Sequence, residues 1–163
     1  MSAPWVIHTS VVVRGLLTAD GDAPTARILD AMVAGRILFL LSVALLAEYR
    51  DGLLRPRIRE RHGLDEPEID PVLTEITAGG RVRESGGASD SSPDPGDQHL
   101  WDLLAAQPDT VRVTGDRTLL AASSATVTVL APWAFVARFL TGMPQPFGLV
   151  TQRRCRDSPE SIG

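Results

Sequence analysis

Short apolar runs alternate with segments of helical character along most of the 163-residue chain, and this alternation constrains the fold more than any other feature. The first run is "APWVI", and the second, "ILFLL", leads directly into a helical pattern. Two further runs, "TVRVT" and "TVTVL", follow in the second half of the chain. Strands that alternate with helices form a parallel sheet with both faces covered, so the pattern predicts an α/β fold with right-handed crossovers.

Helix-start and helix-stop residues mark several of the segments between these runs. Pro24 and Gly35 bound a segment with helical apolar spacing, since proline suits the first turn of a helix and glycine ends one. Ser42 is a suitable N-cap for the next helix, and Pro132 begins a closing helix. The segment "SVVVRGLL", directly after the first strand, has a β-branched run and fits either a strand or a helix.

The length of the chain predicts one domain with its own core. Periodicity fades after residue 141, so we expect residues 1–141 to form the domain and residues 142–163 a flexible tail. The stretch from Gly86 to Gly96 is rich in Gly, Ser, Pro and Asp, which predicts a loop with little order.

Composition restricts the compartment and the class of partner. The single cysteine, Cys155, excludes an internal disulfide and fits a reducing cytoplasm. The longest apolar run, "ILFLLSVALLA", is shorter than the about 20 residues of a membrane span, and the first residues lack a signal-peptide pattern. The net charge of −4 provides no overall attraction to nucleic acid. We therefore expect a cytoplasmic protein with no membrane partner.

Polar residues follow two of the predicted strands. His8, Thr9 and Ser10 come after the first strand, and Thr114 and Asp116 come at the end of "TVRVT". In parallel sheets, ligands bind beyond the carboxyl ends of the strands, so these positions carry the functional information.

Two helices add further carboxylates. Glu48 lies six residues after Ser42, and Asp97 stands at the start of the helical pattern "QHLWDLL", three residues after Asp94. Each has an ordinary structural explanation. Asp97 and Asp116 suit helix caps, Glu48 suits a solvated helix face, and His8 suits a neutral buried histidine bonded to a backbone carbonyl.

Considered together, Glu48, Asp97, Asp116 and His8 are expected at one edge of the sheet. Clustered carboxylates repel one another, so such a cluster needs divalent cations or raised pKa values. Oxygen ligands of this kind suit Mg²⁺ or Mn²⁺ and the hydrolysis of a phosphodiester. The sequence lacks a phosphate-binding loop, a dinucleotide-binding glycine motif, a nucleophile elbow and zinc-like spacing of its histidines, which disfavours those other chemistries.

Four stretches resemble, in order and spacing, the PIN-domain proteins, and most closely the bacterial branch labelled as toxin components of toxin–antitoxin systems. They are "VIHTSVVVRGLL", "LLSVALLAEYRDGLLRPRIRERHGL", "DPGDQHLWDLLA" and "VTGDRTLLA". The resemblance implies a three-layer α/β/α fold with a central parallel sheet of about five strands. It also implies metal-dependent cleavage of RNA by a quartet of acidic residues.

Three of the four acidic positions of the family match this chain. Glu48 matches the helix glutamate, Asp97 the aspartate that opens a "D-x-H-L" helix, and Asp116 the aspartate of "TGD", with Thr114 as its threonine. The resemblance therefore assigns these three residues as catalytic metal ligands. Thr9, Ser10, Thr114 and Asp94 are candidates for supporting them.

The first acidic position does not match, because the family has Asp-Thr-Asn where this chain has His8, Thr9 and Ser10. An imidazole removes one negative charge and suits Mg²⁺ less well than a carboxylate. Either His8 joins the metal site with an altered metal preference, or the site is weak, or nuclease activity is lost. The alternative function is thus a catalytically inactive PIN scaffold that binds RNA or a protein. A third hypothesis, a doubly wound domain for a small phosphorylated ligand, is disfavoured by the missing glycine motifs.

The segment "RDGLLRPRIRERH" is the most basic part of the chain before the tail. It directly follows Glu48, so its arginines are candidates for holding an RNA backbone near the acidic edge. These candidates are Arg50, Arg55, Arg57 and Arg59. The alternative is a solvated, salt-bridged helix face. A small antitoxin protein and a homodimer are expected from the resemblance alone.

Overall fold

A computed structural model of the protein describes residues 4–18, 20–83, 111–115, 120 and 128–141. The chain begins with β1 (Trp5–Ile7), α1 (Thr9–Leu17), α2 (Pro24–Val33) and β2 (Leu40–Leu41). It continues with α3 (Val43–Leu54), α4 (Pro56–His62), α5 (Glu66–Gly79) and β3 (Arg81–Val82). The last described elements are β4 (Val111–Val113), β5 (Thr128–Leu130) and α6 (Pro132–Phe135), which continues into a π-helical turn (Val136–Leu140).

All strand pairs among the described residues are parallel, which confirms the predicted α/β class. β1, β4 and β5 form a sheet in the order β1-β4-β5, and β2 pairs with β3 in a second sheet. A single parallel bridge between Trp5 and Phe39 links the two sheets. The prediction of a single central sheet of about five strands is therefore confirmed only in part. The physical reason is that β2 and β3 have two residues each, too few for a continuous ladder with β1.

The β-branched segment after β1 is a helix. α1 buries Val11, Val12 and Leu16 in the core, and Gly15 faces α2. A Cβ at Gly15 would stand 2.6 Å from the carbonyl oxygen of Thr25, so the absence of a side chain permits the close crossing of the two helices. Burial of one face of α1 against its neighbours thus outweighs the weak helix propensity of its valines.

Helix ends follow the predicted signals. Ser42 caps α3, because its hydroxyl oxygen accepts a hydrogen bond from the Leu45 N–H at 3.1 Å. Pro24 is the first residue of α2, and Gly35, with φ +67°, follows that helix. Pro132 begins α6, which packs Phe135 against Trp5 with ring centroids 4.6 Å apart. No helix in the described ranges is both long and apolar enough to cross a membrane.

Buried apolar side chains from both sheets and from α1, α2, α3, α5, α6 and the π-helical turn form one cluster. Tyr49, Phe39 and Phe135 are its largest fully buried members. The predicted loop at 86–96, the predicted helix at Asp97 and the predicted tail at 142–163 lie outside the described residues.

Candidate active site

His8 joins β1 to α1 at the carboxyl end of the strand. Its backbone N–H donates to the Val113 carbonyl oxygen at 2.9 Å, which extends the pairing of β1 with β4 by one residue. Its backbone is extended (φ −68°, ψ 147°), as expected of a residue that precedes a helix. The ring nitrogen Nδ1 accepts from the Ser10 N–H at 3.4 Å and lies 3.2 Å from Ser10 Oγ. His8 is therefore the N-cap of α1.

The His8 ring contacts the backbone and the hydroxyl of Ser10 through Nδ1. His8 thus caps α1 at the position where the family has its first aspartate, and its part in a metal site stays a prediction.

Glu48 lies on the face of α3 that approaches the end of β1. The hydroxyl of the next residue, Tyr49, donates to the carbonyl oxygen of Ile7, the last residue of β1. One helical turn after Glu48, a Cβ at Gly52 would stand 2.9 Å from Thr9 Cγ2. Residues four apart share a helix face, so Glu48 faces the junction of β1 and α1.

The half-buried position of Glu48 also affects its neighbour electrostatically. Its Oε2 atom is shielded from solvent. The pKa of Tyr49 is raised far above its usual range, first by complete burial and then by the negative charge of Glu48. One oxygen of the Glu48 carboxylate is thus shielded from water, and a cation interacts more strongly with a shielded oxygen than with a solvated one.

Thr9 adds a buried hydroxyl to this edge. Its side chain is 8% exposed, and Thr9 Oγ1 has no hydrogen-bond partner in the part of the chain that the structure describes. Buried polar atoms without partners are rare, which makes this oxygen a candidate for contact with a ligand. The described oxygen atoms at this edge, from Glu48 and Thr9, are of the kind that a hard divalent cation prefers.

The end of β4 meets the same edge. Thr114 is fully buried, and its N–H donates to the Leu130 carbonyl oxygen at 3.0 Å. A Cβ at the next residue, Gly115, would stand 3.9 Å from Ser10 Oγ and 3.3 Å from Arg14 Nη1. The structure thus brings the ends of β1 and β4 together, and α3 packs against the β1 end beside them.

Three predicted acidic residues, Asp94, Asp97 and Asp116, lie outside the described residues. Within the described ranges, no group of three or more His, Cys, Asp or Glu side chains is arranged to hold a metal ion. The acidic metal site of Glu48, Asp97 and Asp116 therefore stays a prediction.

The structure divides the predicted RNA-binding arginines into two groups. Arg50 donates to Glu66 and, at 3.3 Å, to Asp70, and the bond to Glu66 is the first cause of its raised pKa. Arg59 donates to an oxygen of a third acidic residue, Asp65, at 3.2 Å.

The other two behave differently. Arg55 and Arg57 are exposed and form no ion pair with the described residues. The salt-bridged alternative thus describes Arg50 and Arg59, and within the described residues it does not describe Arg55 and Arg57.

Arg14 is a residue at this edge that the sequence prediction missed. Its position four residues after Ser10 is the signal that could have found it, because residues four apart lie on one face of a helix.

Comparison with known proteins gives the family. A sequence model described as "PIN domain" matches residues 4–118, which include β1, β4 and all of α1 to α5. Searches of curated proteins and of solved structures gave no match. The matched segment covers more than half of the chain and includes His8, Glu48 and Asp116. The chain belongs to the PIN-domain family.

Proposed function

We propose that the protein is a metal-dependent ribonuclease of PIN-domain toxin type whose activity is reduced by His8. The proposal is supported by the ends of β1 and β4 and the buried hydroxyl of Thr9, which lie at one edge of a PIN domain, with α3, the helix of Glu48, packed against the β1 end. The two parallel sheets, bridged at Trp5 and Phe39, then act as one platform between helices.

In this proposal Glu48, Asp97 and Asp116 hold Mg²⁺ or Mn²⁺, and Thr9, Ser10, Thr114 and Asp94 support them. When bound, a divalent cation supplies charge stabilisation for the developing negative charge on the phosphate. Glu48 provides a fixed, poorly solvated negative charge to the site. Thr9 Oγ1 provides a hydroxyl that can donate to a carboxylate or to the substrate.

Arg55 and Arg57 are the favoured contacts for the RNA backbone, because they are exposed and not engaged with described acidic residues. A small antitoxin, a homodimer and a cytoplasmic location remain part of this proposal on the strength of the family resemblance.

The second candidate function is an inactive PIN scaffold that binds RNA or a protein. One specific observation favours it: the ring of His8 contacts Ser10 and caps α1 at the position where the family has a carboxylate. A site with one carboxylate fewer holds Mg²⁺ less tightly.

An RNA cleavage assay separates the two functions. The protein, His8→Asp and His8→Asp combined with Asp116→Asn are incubated with single-stranded RNA in Mg²⁺ and in Mn²⁺. We expect the natural sequence to cleave RNA weakly in Mg²⁺. The cleavage rate of His8→Asp should be ~10-fold higher or more, because loss of a group that supports a metal site typically lowers activity by this factor. The double variant should be inactive.

Two outcomes would overturn the proposal. If neither the natural sequence nor His8→Asp cleaves RNA in either metal while RNA is still bound, the scaffold function is correct. If the double variant cleaves as well as His8→Asp, Asp116 has no part in the reaction.

A further inference from the structure

We propose that Arg14, together with Ser10, forms a phosphate-binding position beside the candidate active site, so that Arg14 contacts the RNA backbone next to the bond that is cleaved. This inference rests on the proposed action on RNA and adds a substrate contact to that site.

The geometry around Gly115 places Arg14 at the edge where β1 and β4 end. Measured from the point where a Cβ of Gly115 would stand, Arg14 Nη1 is at 3.3 Å, Arg14 Cζ at 3.8 Å and Ser10 Oγ at 3.9 Å. A guanidinium and a hydroxyl therefore lie against the same short stretch of backbone.

Gly115 leaves room for the Arg14 side chain, and it does not provide an unusual backbone conformation. The only described glycines with positive φ are Gly35 and Gly63, so Gly115 has a backbone that other residues also adopt. A contact of 3.3 Å with a new Cβ would be tight, which shows how closely the guanidinium approaches this backbone.

The charge of Arg14 is available for an outside anion. The residue is exposed, and its guanidinium makes no hydrogen bond or ion pair with the described residues, unlike Arg50 and Arg59. An arginine fork matches the oxygens of a phosphate and contacts two of them at once.

An acidic site also needs such a cation for substrate binding. The carboxylate of Glu48 and the predicted carboxylates at the same edge repel the phosphates of RNA. A cation at the border of the site reduces this repulsion without competing with the carboxylates for the metal. Arg14 lies one turn after Ser10 on α1, and Ser10 contacts the ring of His8 at the start of that helix. The helix therefore places Arg14 beside the end of β1.

The test measures binding of a fluorescently labelled single-stranded RNA by anisotropy across a range of salt concentrations, in the presence of Mn²⁺ and in EDTA. The variants are Arg14→Gln, Arg14→Lys and a control, Arg36→Gln. Arg36 is also exposed, but it precedes β2 and lies toward the amino ends of the strands.

We expect Arg14→Gln to weaken binding about tenfold, the loss associated with one charge-assisted hydrogen bond. The slope of log Kobs against log salt should fall in magnitude by about 0.7, the value for one lost phosphate contact on single-stranded nucleic acid. Arg14→Lys should keep the slope but lose part of the affinity, because an ammonium group lacks the planar fork. Arg36→Gln should bind as the natural sequence does.

Three results would overturn the inference. Equal RNA affinity of Arg14→Gln and the natural sequence removes Arg14 from the binding site and leaves the ribonuclease proposal intact. Weaker binding with an unchanged salt slope means that Arg14 positions other groups and does not touch a phosphate. Absence of RNA binding by the natural sequence overturns the RNA function itself and the role of Arg14 with it.

Discussion

The hydroxyl of Tyr49 donates a hydrogen bond to the backbone carbonyl oxygen of Ile7, and this bond holds α3 against the carboxyl end of β1. Both residues are fully buried, so no water can replace the donor if it is removed. The bond also sets the direction of Glu48, which precedes Tyr49 in the same helix. The position of the candidate active site thus depends on a hydrogen bond within the buried core.

Replacement of Tyr49 by phenylalanine should lower the free energy of unfolding by ~1–3 kcal/mol, because the Ile7 carbonyl is left buried without this donor. Urea denaturation followed by circular dichroism measures the change. Thr74→Val is a suitable control, since it removes the hydroxyl hydrogen bond at an exposed position of α5 and should cost less. Equal stability of Tyr49→Phe and the natural sequence would show that the bond contributes nothing to the fold.

The ionisation of Tyr49 can be followed directly, because it is the single tyrosine of the chain. Burial, and then the charge of Glu48, raise its pKa in the folded state above the usual value of 10.0. The neutral phenol is therefore favoured by folding. This contribution to stability is complete below pH ~10, the pKa of an unfolded tyrosine, and is lost progressively as pH rises above it. Phenolate absorbance should appear only when the protein unfolds, whereas the chain in guanidinium should titrate near pH 10. A folded protein with phenolate absorbance at pH ~10 would contradict the buried position of this ring.

Gly52→Ala should destabilise the protein even though alanine is the better helix former. The helix propensity of alanine favours the variant by ~1 kcal/mol. Against this, the new methyl group would stand 2.9 Å from Thr9 Cγ2, and such overpacking costs ~1–3 kcal/mol. A lower melting temperature checks the sign. The double variant Gly52→Ala with Thr9→Ser, which removes the opposing methyl group, should recover most of the loss.

The cap formed by His8 can be tested separately from any catalysis. His8→Ala should lower the free energy of unfolding by ~0.5–2 kcal/mol, the usual cost of losing an N-cap, while His8→Asn and His8→Asp should retain or raise stability. Thermal unfolding of the three variants measures this order. If His8→Ala is as stable as the natural sequence, the contact between Nδ1 and Ser10 is not a stabilising cap.

The sequence by itself determined the class of the fold and the family. Apolar runs that alternate with helices predict a parallel α/β fold because each run must be covered on both faces, and the described sheets are parallel. Helix limits at Ser42 and Pro132 were predictable because capping is a local effect, decided within one turn of the chain. The PIN-domain motifs likewise lie in the sequence itself.

Only the tertiary structure decided the conformation of α1, the capping contact of His8 and the ion pairs of the basic segment. The valines of α1 are compatible with a strand, and packing of Gly15 against Thr25 favours the helix. The sequence predicts Arg50 as an RNA contact. In the fold, α5 places Glu66, 16 positions later in the chain, within hydrogen-bond distance of Arg50. No sequence motif marks Arg14, because its proposed role depends on its closeness to Gly115, a residue 101 positions later in the chain. Contacts between residues far apart in sequence depend on how the elements pack, and the local pattern of residues carries no record of them.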